Sequence, residues 1–194
     1  MNAREKILSR IKKGVAPSVA MPDMAIADKW NSEVDVEALK DVLESVGGEM
    51  HILDSVADVD TKLKELFSDV KMAYTNLEGV EFGNVNLDEV KTAHDLAKLE
   101  VAVLEGEFAV GENGSVFVSD NKMGDRMIPT ITEYLVLVVP KNNIVKNMHE
   151  AYKKIDLKTI EYGVFISGPS KTADIESTLV FGAHGAKNLA LLLV

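Results

Sequence analysis

The stretch Tyr134–Ile166, YLVLVVPKNNIVKNMHEAYKKIDLKTIEYGVFI, decides the fold. It opens on six consecutive apolar residues, Tyr134 to Val139, closed by Pro140. A run with no polar face to give to water is the pattern of a strand buried on both sides. Ile144, Val145, Met148, Ala151, Tyr152 and Ile155 then recur at helical spacing, and Tyr162–Ile166 is a second apolar run. Strand, helix and strand in that order imply a right-handed crossover between parallel strands. Both runs are therefore expected in the interior of one sheet.

The same alternation extends outward. Val36, Leu39, Val42, Leu43 and Val46 follow helical spacing and stop at Gly47-Gly48, and Met50–Leu53 reads as a strand. Val56, Val59, Leu63, Leu66 and Phe67 mark a second helix, with a short strand at Val70–Tyr74. Leu87–Leu99 reads as helical and Val101–Leu104 as a buried strand. Phe108–Val110 and Val116–Val118 flank Gly111-Glu112-Asn113-Gly114, a hairpin signal because Asn and Gly tolerate positive φ. Leu189–Val194 is a terminal strand. The expected fold is α/β, a mainly parallel central sheet flanked by helices.

Ahead of this body, Asn2 and Glu5 have the spacing of a capping box, and Ile7, Leu8 and Ile11 form an apolar stripe. Arg4, Lys6, Arg10, Lys12 and Lys13 give the same helix a basic face. Gly14–Lys29 carries Pro17 and Pro22 and has no period. The organisation read from this is an N-terminal helix and linker arm over residues 1–30 and an α/β domain over 31–194.

The 194 residues carry a net charge of −10 and no cysteine. Acidity disfavours nucleic-acid binding. Without thiolates this chain offers no disulfide and no iron–sulfur ligation of its own. No stretch is long and apolar enough to span a membrane, and the N-terminus lacks the apolar core of a secretory signal, so the expected location is cytoplasmic. His51, His94, His149 and His184 are scattered without metal-ligand spacing, so no metal site is expected.

Three places could carry chemistry. In Ile166–Thr172, Gly168 and Pro169 permit a tight turn and Ser170 and Thr172 offer hydroxyls. A helix beginning after Thr172 would point free N–H groups at an anion there. Asp174 and Glu176 could act as acid, base or hydroxyl-orienting groups; the plainer reading of the same residues is a capped turn. In Gly182-Ala183-His184-Gly185 the glycines allow a ligand to approach the imidazole, which could serve as general base; otherwise it is a histidine bonded within a turn. In Glu112-Asn113-Gly114-Ser115 the carboxylate could be a base, or the hairpin a plain exposed turn. Open α/β sheets bind ligands beyond the carboxyl ends of their strands, so Glu112, Ser170, Asp174 and His184 are expected to line one concave site.

These segments also resemble a known family. SGPSKTADIE (Ser167–Glu176) and GAHG (Gly182–Gly185) are similar to signature segments of the LUD-domain family, within it the lactate-utilization group. EFAVGENGSV (Glu107–Val116) resembles that family's hairpin, and Arg126 and Pro129 resemble an Arg and a Pro that precede its central strand. The likeness runs over roughly 35–194, with Asn113, Ser115, Ser177 and Ala186 departing from the usual residues.

The resemblance implies a fold similar to the NagB, ribose-5-phosphate isomerase and CoA-transferase group. It implies a role in oxidising L-lactate to pyruvate beside iron–sulfur partner subunits. This chain would be the cluster-free component, without a cofactor of its own and with a pocket for a small anionic metabolite. Glu112, Asp174 and His184 are the catalytic candidates. Asn113, Gly114, Ser115, Gly168, Pro169, Ser170, Thr172, Glu176, Gly182 and Gly185 are the ligand-binding candidates. The alternatives are a stand-alone enzyme acting on a sugar phosphate or CoA thioester, and a metabolite-sensing regulatory module.

Overall fold

The computed structural model describes residues 2–14, 36–175 and 178–194. The chain divides into two units, Met1–Asn31 and Ser32–Val194. In the first, helix α1 (Ala3–Gly14) is closed at its start by a reciprocal box. The Asn2 side chain accepts the Glu5 N–H at 2.9 Å, and the Glu5 carboxylate accepts the Asn2 N–H at 2.9 Å.

The second unit is built on five parallel strands: β1 (Glu49–Ile52), β2 (Ala73–Thr75), β3 (Val101–Glu105), β6 (Tyr134–Val139) and β11 (Asn188–Leu193). Their order is β1-β11-β6-β3-β2, so Tyr134–Val139 is the central strand, as its sequence requires. Alternate residues of β6 and β11 serve opposite faces. Leu135, Leu137, Val139, Leu189, Leu191 and Leu193 pack into one core, and Val136, Val138, Ala190 and Leu192 into another. Both faces are covered, which is why these strands read as continuous apolar runs. Each fully buried Leu or Val contributes about 1.5–3 kcal/mol.

Helix α3 (Val59–Leu66) covers one face through Val59 and Leu63. Helix α2 (Val36–Ser45) covers the other through Leu39 and Leu43. Helix α2 ends in a Schellman motif: the Gly47 N–H donates to Glu44 O, the Gly48 N–H donates to Leu43 O, and Gly47 has φ +82°.

The face under α2 also carries a second sheet that the sequence reading did not resolve. Strands β4 (Phe108–Val110), β5 (Ser115–Ser119), β7 (Ile144–Val145) and β8 (Gly163–Ile166) lie in the order β7-β4-β5-β8. Only β4 and β7 run parallel. This sheet is covered on its far side by α5 (Met148–Lys154), with Phe108, Val110, Phe117, Val145 and Ala151 between them.

Four expectations are corrected. Tyr162–Ile166 is not interior, because β8 is an edge strand and its residues are exposed or half-buried. Ile144 and Val145 begin no helix: they pair with Ala109 and Val110, and α5 starts only after Asn147, whose side chain accepts the Glu150 N–H. Leu87–Leu99 is not one helix but two 3-10 turns, Leu87–Glu89 and Ala93–Leu96. Val90 and Thr92 are extended between those turns, and Thr92 and Asp95 cap the second. No helix follows Thr172: β9 (Lys171–Ile175) and β10 (Thr178–Phe181) form an antiparallel hairpin. Its β-branched and aromatic residues suit a pleated surface better than a helix. The remaining helix, α4 (Ile128–Ile131), is a single turn with proline at its start.

Candidate functional site

Two loops of the second unit are tied together by backbone bonds. After β8, Gly168 takes φ +72°, and a side chain there would stand 2.8 Å from the Val46 carbonyl oxygen at the end of α2. Only glycine fits that turn without strain. Pro169 comes next and packs towards Gly47. The Ser170 N–H then donates to Ala186 O at 2.8 Å, and the Gly182 N–H donates to Ser170 O at 3.0 Å. Gly182 takes φ +72° and Gly185 abuts the Ser170 side chain. The loop carrying His184 is thereby fastened onto the loop carrying Ser170.

The two loops wall a cavity of about 160 Å³ that includes Gly168, Ser170, His184 and Gly185. Arg126, Pro129, Leu135 and Tyr162 complete much of its lining. The Arg126 guanidinium lies 5.3 Å from the Tyr162 ring centroid, over its face. It donates to Asp120 at 3.1 Å and Glu161 at 3.2 Å. The other Asp120 oxygen is buried and has no partner among the described residues. His184 and Gly185 also line a larger, open cleft of about 680 Å³, with Lys71, Lys98, Glu100, Glu133 and Lys187. Lys187 pairs with Glu133 at 2.6 Å; both side chains are more than half exposed, so the pair adds little stability.

The position of these clefts corrects a further expectation. Glu100, Glu133 and Lys187 immediately precede β3, β6 and β11, so these clefts lie at the amino ends of the parallel strands and not beyond their carboxyl ends. The His184 loop leads into a central strand. The Ser170 loop reaches the same end because it leaves β8, a strand of the other sheet.

The hairpin residues sit differently. The Glu112 carboxylate accepts the Met148 N–H at 2.9 Å, at the start of α5, and lines neither cleft. The Asn113 side chain accepts both the N–H and the hydroxyl of Ser115, at 3.1 and 2.6 Å. Gly114, at φ +67°, lies against Leu43 of α2. The hairpin joins the site's frame through Asn113 O, which accepts the Ser167 hydroxyl at 2.8 Å.

Thr172 lies on β9 opposite Val180 and lines neither cleft. Of Asp174 only the backbone position on β9 is described, and Glu176 lies outside the described residues. The expected quartet is thus brought together for Ser170 and His184 and not for Glu112.

Arg126 was marked in the sequence only by resemblance, and Glu133 and Lys187 by nothing. Glu133 and Lys187 are surface charges at the starts of β6 and β11, and the pairing of those strands makes them neighbours. Among the described residues no group of His, Asp and Glu is arranged to hold a metal ion. No described helix is long and apolar enough to cross a membrane. Burial and the neighbouring Glu49 push the Tyr134 hydroxyl up to about 12. Burial, then Asp125, raises that of Tyr74. The Thr92 and Lys91 N–H groups lower the Asp95 carboxyl.

Comparison with known proteins bears on this arrangement. A lactate utilization protein C from Bacillus subtilis (strain 168) is 32% identical over 117 residues, 55% of this chain and 48% of that protein. One from Oceanobacillus iheyensis is 29% identical over 103 residues, 50% of this chain and 44% of that protein. The chain spans about half the length of the curated relatives it matches. The crystal structure of a DUF162 family protein from Deinococcus radiodurans aligns with a TM-score of 0.63 at 14% identity, covering 82% of this chain and 95% of that one, which shows the shared fold. The LUD domain model matches residues 85–194, a shorter span than the likeness over 35–194 and one that includes the Glu112, Arg126, Ser170 and His184 segments. The chain therefore belongs to the LUD domain family.

Proposed function

We propose that this chain serves lactate utilization as a component without a redox centre of its own, binding a small carboxylate between Ser170, His184 and Arg126. The observation that carries the reading is the fastening of two separate family segments around one cavity that Arg126 also lines. A guanidinium, a hydroxyl and an imidazole are the groups that recognise a carboxylate bearing a neighbouring hydroxyl or keto oxygen. The cavity of about 160 Å³ suits a ligand of a few heavy atoms better than a nucleotide. Relatives named for lactate utilization point the same way.

Electron transfer in this reading belongs to iron–sulfur partner subunits, because the chain has no cysteine to hold a cluster. The place of action is the cytoplasm, where such partners keep their thiolates reduced. The helix start once expected after Thr172 contributes nothing, since that segment is a strand. Anion recognition rests on side chains instead.

The test is calorimetry with L-lactate, pyruvate and inorganic phosphate on wild type, Ser170→Ala and Arg126→Gln. Binding of lactate or pyruvate that weakens about tenfold or more in each variant supports the reading. Absence of binding to wild type, or wild-type affinity in either variant, overturns it.

A further inference from the structure

Arg126 lines the cavity with both of its two-pronged faces partly taken. Its bonds to Asp120 Oδ2, at 3.1 Å, and to Glu161 Oε2, at 3.2 Å, both leave from Nη2. A guanidinium holds a carboxylate with two N–H groups at a time, either Nε with Nη2 or Nη1 with Nη2. Nη2 belongs to both pairs, and its two N–H groups are the ones in use. A third carboxylate is therefore held by two bonds only where one of the two acids lets go.

The two acids are not equally held. The Asp120 side chain is 19% exposed, its second oxygen is buried, and its N–H donates to Tyr162 O at 2.9 Å. The Glu161 side chain is 89% exposed. It comes from the segment just ahead of β8, and an ion pair so open to water is worth little. Neither acid lines the cavity, whereas Arg126 and Tyr162 do. The Tyr162 ring supports the guanidinium from its face, a contact that neither acid supplies.

Charge narrows the ligand. Among the described residues that line the cavity, Arg126 is the one fixed cation, and its charge is shared with Asp120. With Glu161 released, one negative charge enters where one has left. A dianion brings a second charge with no fixed cation to meet it, close to the mostly buried Asp120.

We propose that Glu161 is an internal stand-in for the ligand's carboxylate, and that the Asp120–Arg126 pair selects a monocarboxylate over a dianion. The proposal rests on the carboxylate reading of the cavity. Asp120 is then a positioning residue, which holds Nη2 while the ligand takes the place of Glu161. Closure of the Glu161–Arg126 pair and binding of the ligand exclude one another, so the pair lowers the affinity by the fraction of molecules it keeps closed.

Calorimetry on the full chain at mildly alkaline pH tests the proposal, with L-lactate and pyruvate as monocarboxylates and malonate and inorganic phosphate as doubly charged probes. Glu161→Gln removes the competing charge at an exposed position and should tighten monocarboxylate binding about two- to fivefold, the range that an exposed ion pair can withhold. Wild type should bind the doubly charged probes roughly tenfold or more weakly than pyruvate. Asp120→Asn keeps an acceptor for Nη2, drops the charge and should narrow that gap. Circular dichroism checks that both variants are folded. Wild-type affinity in Glu161→Gln, with Arg126→Gln still weakening binding, overturns this proposal and leaves the carboxylate reading standing. Doubly charged probes bound by wild type as tightly as pyruvate overturn the selectivity. Absence of monocarboxylate binding in both wild type and Glu161→Gln overturns the proposal and the reading together.

Discussion

Strands β6 and β8 look alike in the sequence and live differently in the molecule. Both are short apolar runs, Tyr134–Val139 and Tyr162–Ile166. Strand β6 has a parallel partner on each side, and its last five residues are buried. Strand β8 has one partner among the described residues, the antiparallel β5. The difference is marked by Gly163, where a side chain would stand 2.4 Å from the Phe117 ring. A run interrupted by glycine can lie under a neighbouring aromatic ring but cannot fill two cores. The strand that leads to Ser170 is thus the less buried of the two, and the cavity joins a central strand of one sheet to an edge strand of the other.

The sharpest way to break this comparison is to truncate both strands. Leu137→Ala is expected to destabilise the fold by about 2–5 kcal/mol, the range for a fully buried leucine. Val164→Ala on β8 should cost about 1 kcal/mol or less. Urea denaturation of the two variants checks this, and equal losses would mean that β8 is as deeply held as β6.

A smaller effect is expected where β8 hands over to the site. Gly168→Ala forces a left-handed conformation on alanine and pushes a methyl group at the Val46 carbonyl, costing about 1–2 kcal/mol or more. Carboxylate binding should fall with it, because the same turn carries Ser170. A variant that loses stability and keeps wild-type affinity would separate the turn from the ligand.

Tyr134 opens β6, and its titration probes the anchored side. Its folded pKa is raised, to about 12 from 10.0, so the neutral form is favoured in the fold. The stability this brings is fully present below pH 10 and is lost as pH rises towards 12. Alkaline titration followed by circular dichroism should show a shallower fall for Tyr134→Phe than for wild type.

The least effect is expected at Glu112. Its carboxylate caps the start of α5, so Glu112→Gln should cost about 0.3–1 kcal/mol and leave carboxylate affinity unchanged. A large loss of affinity in calorimetry would return Glu112 to the site.

These contrasts show which signals a sequence carries. The Schellman turn at Gly47-Gly48, the Asn2–Glu5 box and the Asn113-Gly114 hairpin were all legible, because each is decided by residues within a few positions of one another. Leu87–Leu99 was misread because apolar spacing alone cannot reveal that Thr92 and Asp95 start a fresh turn. The segment after Thr172 was misread because its acids suit a helix start as well as a hairpin.

By itself, then, the sequence determined the α/β class, the central place of Tyr134–Val139 and the two loops that meet in the cavity. The unbroken run Tyr134–Val139 has no polar face to give to water and so favours burial on both sides, and Gly168 and Gly182 mark turns. The tertiary structure decided the rest. It split the strands between two sheets, left β8 at an edge, put the candidate clefts at the amino ends of the parallel strands and turned Glu112 towards α5. It also brought Arg126 beside His184, residues fifty-eight positions apart. Strand order and side-chain direction depend on which distant segments exclude water together, and no local pattern encodes that.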